Sequence, residues 1–332
     1  MGVWGHDGFA GLQDPVLREL AKKLPLTLLD AWSLNTNKTY QSAFRKWATW
    51  ADAFPEISAL PAKPLHVCLY LVALGQQQTS VATLNSALVA IAWAHKIAGL
   101  DSPSDNKTVK ITMEGLRRRL ARPRVTCSPI TADHVLRLVQ SADLTDLQEL
   151  RVIAFILLSF AGFFRCSEVC AIRSEHLVLQ STHLEIFLPV AKNDQFKQGQ
   201  TAYIARTGKL TCPVAIFVKY LEVAGVDLKV SQFVFRNVQH SKGSIKITSV
   251  DAPITYSRIN ELVKQKFKSL KLDTTMFKLH SLRAGGSSAA ANNKVPDRAF
   301  QRHGRWRTVS VKNSYLTESL ADLLSVSQNL GI

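Results

Sequence analysis

Residues 279–316 bring together an imidazole, a guanidinium, an indole and a phenol, on His280, Arg283, Trp306 and Tyr315. His280 and Arg283 stand three apart, so on a helix they share one face and can point at one substrate. Residues 284–291 carry only small side chains, which lets such a helix pack closely against the rest of a domain. Trp306 precedes Tyr315 by nine residues, about two and a half helical turns. The combination suits a phosphate. Attack on a phosphodiester needs a nucleophile, cationic donors for the non-bridging oxygens and an acid for the leaving alkoxide. Arginine fills the second role because its planar fork stays charged and grips two oxygens at once.

One arginine beside the histidine is too few, and another lies upstream. Residues 150–173 read as an apolar helix running into Arg165 and Glu168. A charge emerging from such a buried run must be paired or used. From His183 the apolar residues alternate on both sides of a polar, glycine-ended turn, with the return strand over 201–205, which predicts a β-hairpin. Lys192 lies where the first strand gives way to the turn; Lys197, on its far side, is the rival acid.

Arg165, Lys192, His280, Arg283, Trp306 and Tyr315, in this order, resemble the catalytic set of the tyrosine recombinases, also called the phage-integrase family. The G-x-W step followed by N-S-Y-L is similar to Cre-like members; Xer-like members usually carry histidine where Trp306 stands. The resemblance covers nearly the whole chain. Residues 38–50, K-T-Y-Q-S-A-F-R-K-W-A-T-W, and P-S-D at 103–105 are similar to the core-binding domain of Cre-like members. One departure is Arg305, which stands where those members tend to have the second of two glycines, a change expected to bear little on mechanism. The G-R-W step and the short tail also resemble recombinases of eukaryotic mobile elements, such as Cryptons and DIRS-like retroelements.

The resemblance implies a mainly α fold: a helical core-binding, DNA-binding domain over 1–122, a linker over 123–129, and an α+β catalytic domain with a small β-hairpin or sheet over 130–332. It implies that Tyr315 attacks a DNA phosphodiester, giving a 3′-phosphotyrosine and a free 5′-hydroxyl. Arg165 and Arg283 would clamp the non-bridging oxygens. Lys192 would protonate the leaving oxygen with help from His280, and Glu168 would orient Arg165 or His280. Trp306 would donate its indole N–H, having no acid–base capacity. The covalent link conserves bond energy, so neither cofactor nor metal is required, and the chain has no G-x-x-x-x-G-K-[ST] and no H-E-x-x-H. An amphipathic tail helix over about 317–332 implies exchange between protomers, giving a homotetramer on double-stranded DNA with paired half-sites.

Composition agrees with a polyanionic partner. With 41 Lys and Arg against 25 Asp and Glu, the net charge is +16, which favours nucleic acid through counterion release. Five cysteines at irregular spacings argue against a disulfide framework and for a reducing compartment. Cys166 and Cys170 are read as small core residues rather than metal ligands. The opening Trp4, His6 and Asp7 are unlike a signal peptide, and the apolar run 152–164 falls short of the ~20 residues a bilayer span needs. An intracellular protein with access to DNA is expected, nuclear if the host is eukaryotic, with no membrane partner.

Along the chain, glycines leave residues 1–14 irregular, and helical periodicity begins at Val16. Residues 39–54 place Tyr40, Phe44, Trp47 and Trp50 on one side, with Lys38, Arg45 and Lys46 on or near the other. Helices over 65–74, 81–97 and 109–120 complete a small bundle. The last ends in Arg117, Arg118, Arg119 and Arg122, a run expected to track phosphates. In the second domain Thr131 is a good N-cap, followed by a helix over 213–224, a strand over 232–236 and a helix over 256–270. Arg258 on that last helix matches the place from which Cre-like proteins reach a base edge, though a long arginine on a basic helix is otherwise a phosphate contact.

Alternatives remain at single positions. His303, three before Trp306, is the rival third donor, and Tyr203, Tyr220 and Tyr256 are other phenols. For the whole chain the competitors are type IB topoisomerase-like strand relaxation and a non-catalytic DNA-binding relative.

Overall fold

The computed structural model describes residues 11–123, 127–189, 199–241, 244–313, 315–316 and 320–331. The chain divides into two compact units, Met1–Arg124 and Val125–Ile332.

The first unit is helical: α1 (Pro15–Leu29), α2 (Leu34–Ala51), α3 (Pro64–Gln76), α4 (Val81–Ile97) and α5 (Lys107–Arg119). Asp14, Ser33, Ser80 and Asn106 each accept a hydrogen bond from an otherwise orphaned N–H in the first turn, and Pro64 opens α3 without needing one. The aromatic side of α2 enters the core, where Trp47 is fully buried among Leu71, Leu84, Ile91 and Val109. The Trp47 indole donates to Ala59 O at 2.9 Å, so burying it leaves no polar atom unpaired.

The second unit is built around α7 (Leu147–Ala161), buried along most of its length. The side chain of Thr131 caps α6 (Ala132–Gln140) by accepting from His134 N. After α7 come α8 (Cys166–Cys170), strands β1 (Leu177–Leu179), β2 (His183–Leu188) and β3 (Gln200–Ala205), then α9 (Pro213–Val223). The three strands form an antiparallel sheet in sequence order, with Leu177 opposite Ile186 and Leu184 opposite Ile204. The buried Leu184, Ile186, Leu188, Ala202 and Ile204 put one face of the β2–β3 hairpin on the core. A second hairpin, β4 (Val238–Ser241) with β5 (Ser244–Ile247), precedes α10 (Tyr256–Ser269). The remaining helices are α11 (Leu279–Asn292), α12 (Asp297–His303), α13 (Val309–Asn313) and α14 (Leu320–Gln328). The fold is mainly α with small antiparallel sheets. Among the described residues no helix is long and apolar enough to cross a membrane.

Two local expectations differ. The helix read over 150–173 is broken: α7 ends at Gly162, Phe163 takes φ +48°, and Arg165 becomes the N-cap of α8. The strand read over 232–236 is reduced to one bridge, Phe233 to Arg173, followed by a bend at Val234 and Phe235. Strand β1 and the β4–β5 hairpin carry too little apolar alternation to announce themselves.

Candidate active site

Helix α11 is laid directly on its neighbours. A Cβ on Gly285 would stand 1.9 Å from Ile130 O, and one on Gly286 2.0 Å from Phe160 O. Only glycine permits that approach. It delivers the fully buried Arg283 to the end of α7, where the guanidinium donates to Phe163 O at 2.5 Å and to Gly304 O at 2.8 Å.

The last carbonyls of a helix have no partner within it and form its negative pole. Here buried cations and an imidazole take them. His303 Nε2 lies 2.7 Å from Ala161 O, both terminal nitrogens of Arg305 lie 3.1 Å from Gly162 O, and Arg305 Nη2 lies 3.2 Å from Phe163 O. Burial pushes the His303 ring toward its neutral form; the Ala161 carbonyl opposes this and the Arg305 charge reinforces it.

Glu168 sits at the centre of the charges, 4 % exposed. Its Oε2 accepts from the Arg165 backbone N–H at 2.8 Å and its Oε1 from Arg165 Nη1 at 2.7 Å, so one carboxylate fixes both ends of Arg165. Arg305 Nη2 is 3.4 Å and Arg283 Nη1 3.7 Å from Oε2. Burial pushes the Glu168 carboxyl up, but Arg305 and Arg165 together bring it below the ordinary carboxylate range. Burial and the neighbouring Arg165 lower Arg283 to about 10, against the opposing pull of Glu168 and Tyr315. Three guanidiniums against one carboxylate leave two positive charges in surplus, a field suited to an anion.

Tyr315 faces this cluster. Its ring centroid is 5.1 Å from that of His280 and 5.5 Å from that of Trp306, with Arg283 Cζ 4.9 Å over the ring. Trp306 is buried against Phe163 and Phe300, and its indole N–H has no hydrogen-bond partner among the described residues. The segment before Tyr315 is pinned by Lys312, whose side chain is 3 % exposed and whose Nζ lies 2.5 Å from Asp297. Tyr315 N donates to Lys312 O at 3.1 Å, and Ser288 Oγ lies 3.4 Å from Tyr315 O.

Arg165, Glu168, His280, Arg283, Trp306 and Tyr315 thus converge in one unit, whereas Lys192 and its rival Lys197 lie outside the described residues. His303 has a ring nitrogen committed to Ala161 and packs on Phe163 at 4.7 Å. The Tyr220 hydroxyl donates to Val234 O in the core, while Tyr203 and Tyr256 are exposed, on β3 and at the start of α10. In the first unit Lys38 and Arg45 are exposed on α2; Arg117, Arg118 and Arg119 form the last turn of α5, and Arg122 is exposed beyond it. Arg117 donates to Asn85, and Arg118 pairs with Glu114. Arg258 pairs with Glu261 across one turn of α10. Two residues were not anticipated: Arg305, whose only signal was a charged side chain between Gly304 and Trp306, and Lys312, a lysine three before the phenol.

The pattern that defines the phage integrase family matches residues 129–321. The integrase/recombinase XerD homologue of Selenomonas ruminantium is 26 % identical over 289 residues, covering 86 % of this chain and 82 % of its own. Recombinase Cre of Escherichia phage P1 is 21 % identical over 308 residues, covering 86 % and 84 %. The fold is similar to that of a lambda integrase tetramer bound to a Holliday junction, with a TM-score of 0.59 over 94 % of this chain and 84 % of that one at 13 % identity.

Proposed function

The chain belongs to the phage integrase family, the tyrosine recombinases, and is an enzyme of site-specific recombination; from that premise we propose that Tyr315 is its nucleophile and a DNA phosphodiester its target. The observation that carries this is the ring of groups on Tyr315: His280, Arg283 and Trp306 all lie within 5.5 Å of its ring centre.

Attack by the Tyr315 oxygen on phosphorus forms a 3′-phosphotyrosine and releases a 5′-hydroxyl. Arg165 and Arg283 meet the negative charge that grows on the non-bridging oxygens, already oriented by Glu168 and by backbone carbonyls. The unpartnered indole N–H of Trp306 is a further donor for the same oxygens. His280, beside the phenol, assists proton transfer, and Lys192 protonates the leaving oxygen. Reversal with a different 5′-hydroxyl completes the exchange, and because the phosphotyrosine keeps the bond energy, neither ATP nor metal enters.

The first unit supplies a second grip on double-stranded DNA through Lys38, Arg45 and the Arg117–Arg118–Arg119–Arg122 row, and Arg258 contributes from α10. Recombination takes place in a homotetramer on paired half-sites. Support for helix exchange comes from α14, whose Leu323 and Leu324 are exposed, and from a groove of about 490 Å³ in the second unit lined by Val135, Leu157, Phe160, Tyr203, Ile204 and Pro213.

The test is to select a bound duplex from a random DNA library with the intact chain, nick it beside the cleaved position and ask for a denaturant-resistant adduct. Wild type should form one at the 3′-phosphate, and Tyr315→Phe none. A bound duplex that traps no wild-type protein would overturn the reading.

A further inference from the structure

Arg305 is held in a way that its place between two site residues did not suggest. Its backbone takes φ +56°, a left-handed conformation that is strained for an ordinary residue and free for glycine. Its side chain is nevertheless 4 % exposed and densely bonded. The guanidinium reaches Gly162 O twice, Phe163 O, His303 O at 2.9 Å and Glu168 Oε2, and lies 4.7 Å over the Phe164 ring. These contacts tie together two segments that hold cleavage groups: 162–168, which ends in Arg165 and Glu168, and 303–306, which ends in Trp306.

We infer that Arg305 is a positioning residue of the cleavage site, a cationic staple that fixes Arg165 and Trp306 relative to each other. The inference rests on the phosphodiester reading above. The planar fork is what the geometry requires, because one group must bond to carbonyls from two chain segments and to a carboxylate at once; a lysine ammonium is a point charge and cannot span them. By engaging Glu168 Oε2, Arg305 leaves Oε1 to Arg165 Nη1. Its charge, together with that of Arg165 and the hydrogen bonds Arg165 donates, holds that carboxyl ionised. Arg305 therefore acts on the phosphate through its neighbours.

The test uses the selected duplex in nicked form with the intact chain as wild type, Arg305→Gly, Arg305→Lys and Tyr315→Phe, and follows duplex affinity and single-turnover adduct formation across the acidic and neutral range. Glycine suits the backbone at this position. Arg305→Gly should bind the duplex within about twofold of wild type yet form adduct roughly 100-fold more slowly, the size of effect expected of misplaced reacting groups. Its acid limb should move to higher pH, because Glu168 loses one of the cations that hold it ionised. Arg305→Lys should return the acid limb toward that of wild type without restoring the rate. A wild-type rate and pH profile in Arg305→Gly would overturn the inference, as would weakened duplex binding with an unchanged rate. Should the glycine variant fail to fold, a wild-type rate in Arg305→Lys would overturn it equally. Absence of adduct in wild type itself would instead remove the phosphodiester reading, and this inference with it.

Discussion

The guanidinium of Arg283 lies 4.9 Å over the ring of Tyr315 while donating to two backbone carbonyls, those of Phe163 and Gly304. Its orientation is therefore set before any substrate arrives. A donor fixed in advance costs no reorganisation when charge develops, which is where most of the value of such groups lies.

Trp306 separates two roles that a buried indole can play. Trp306→Phe keeps a ring against Phe163 and Phe300 and should cost about 1–2 kcal/mol of stability as a small cavity. Loss of the N–H should slow adduct formation by roughly 10²-fold. Trp306→His, which restores a donor, should recover part of that rate. Single-turnover trapping alongside thermal melting distinguishes the two effects, and an undiminished rate in the phenylalanine variant would assign Trp306 to the core alone.

Glu168 makes stability depend on acid. Its folded pKa lies below the ordinary value, so its contribution is present above the unfolded pKa and is lost as pH falls through the folded one. The groups facing it are Arg165, Arg283 and Arg305. Glu168→Gln should destabilise the neutral protein by about 3 kcal/mol or more, because it leaves buried cations without their counterion. The variant should also lose part of the drop in stability seen on acidification through and below the carboxylate range. Urea unfolding at a series of pH values checks both, and parallel curves for the two proteins would contradict the account.

Gly286→Ala tests the close seating of α11. The added Cβ would meet Phe160 O at 2.0 Å, so the helix must move. A loss of roughly 1–3 kcal/mol is expected, read as a fall in melting temperature of about 2–4 °C for each kcal/mol. Adduct formation should fall with it, since Arg283 rides on the same helix.

Removing the chain after Leu316 should abolish recombination while leaving half-site binding and first-strand adduct largely intact. Leu323→Asp with Leu324→Asp should act the same way if α14 docks on a neighbouring protomer. Gel shifts and a two-site recombination assay report the two activities separately, and unchanged recombination would refute exchange through this helix.

The chemistry-bearing side chains were legible because a phosphate demands particular residue types, and His280, Arg283, Trp306 and Tyr315 lie on one short stretch. Their meeting in space is a structural fact; their roles are the proposal. The break between α7 and α8 was hidden because hydropathy runs on through Phe163 and Phe164, so one glycine was the sole punctuation. Arg305 was expected to matter little for a related reason: its place depends on a backbone angle that residue type does not announce, and most of its acceptors are main-chain oxygens. The β4–β5 hairpin is too polar for a period-two pattern to stand out.

The carbonyls of Ala161, Gly162 and Phe163 have one more consequence. Most of the oxygens that hold His303, Arg305 and Arg283 belong to the polypeptide itself, so no exchange of side chain at those three positions can delete them. The vulnerability passes instead to whatever steers the chain through that bend. Proline or a β-branched residue at Phe163, where φ is +48°, would swing several acceptors away together, so a scan of this bend should tolerate many chemistries and few shapes.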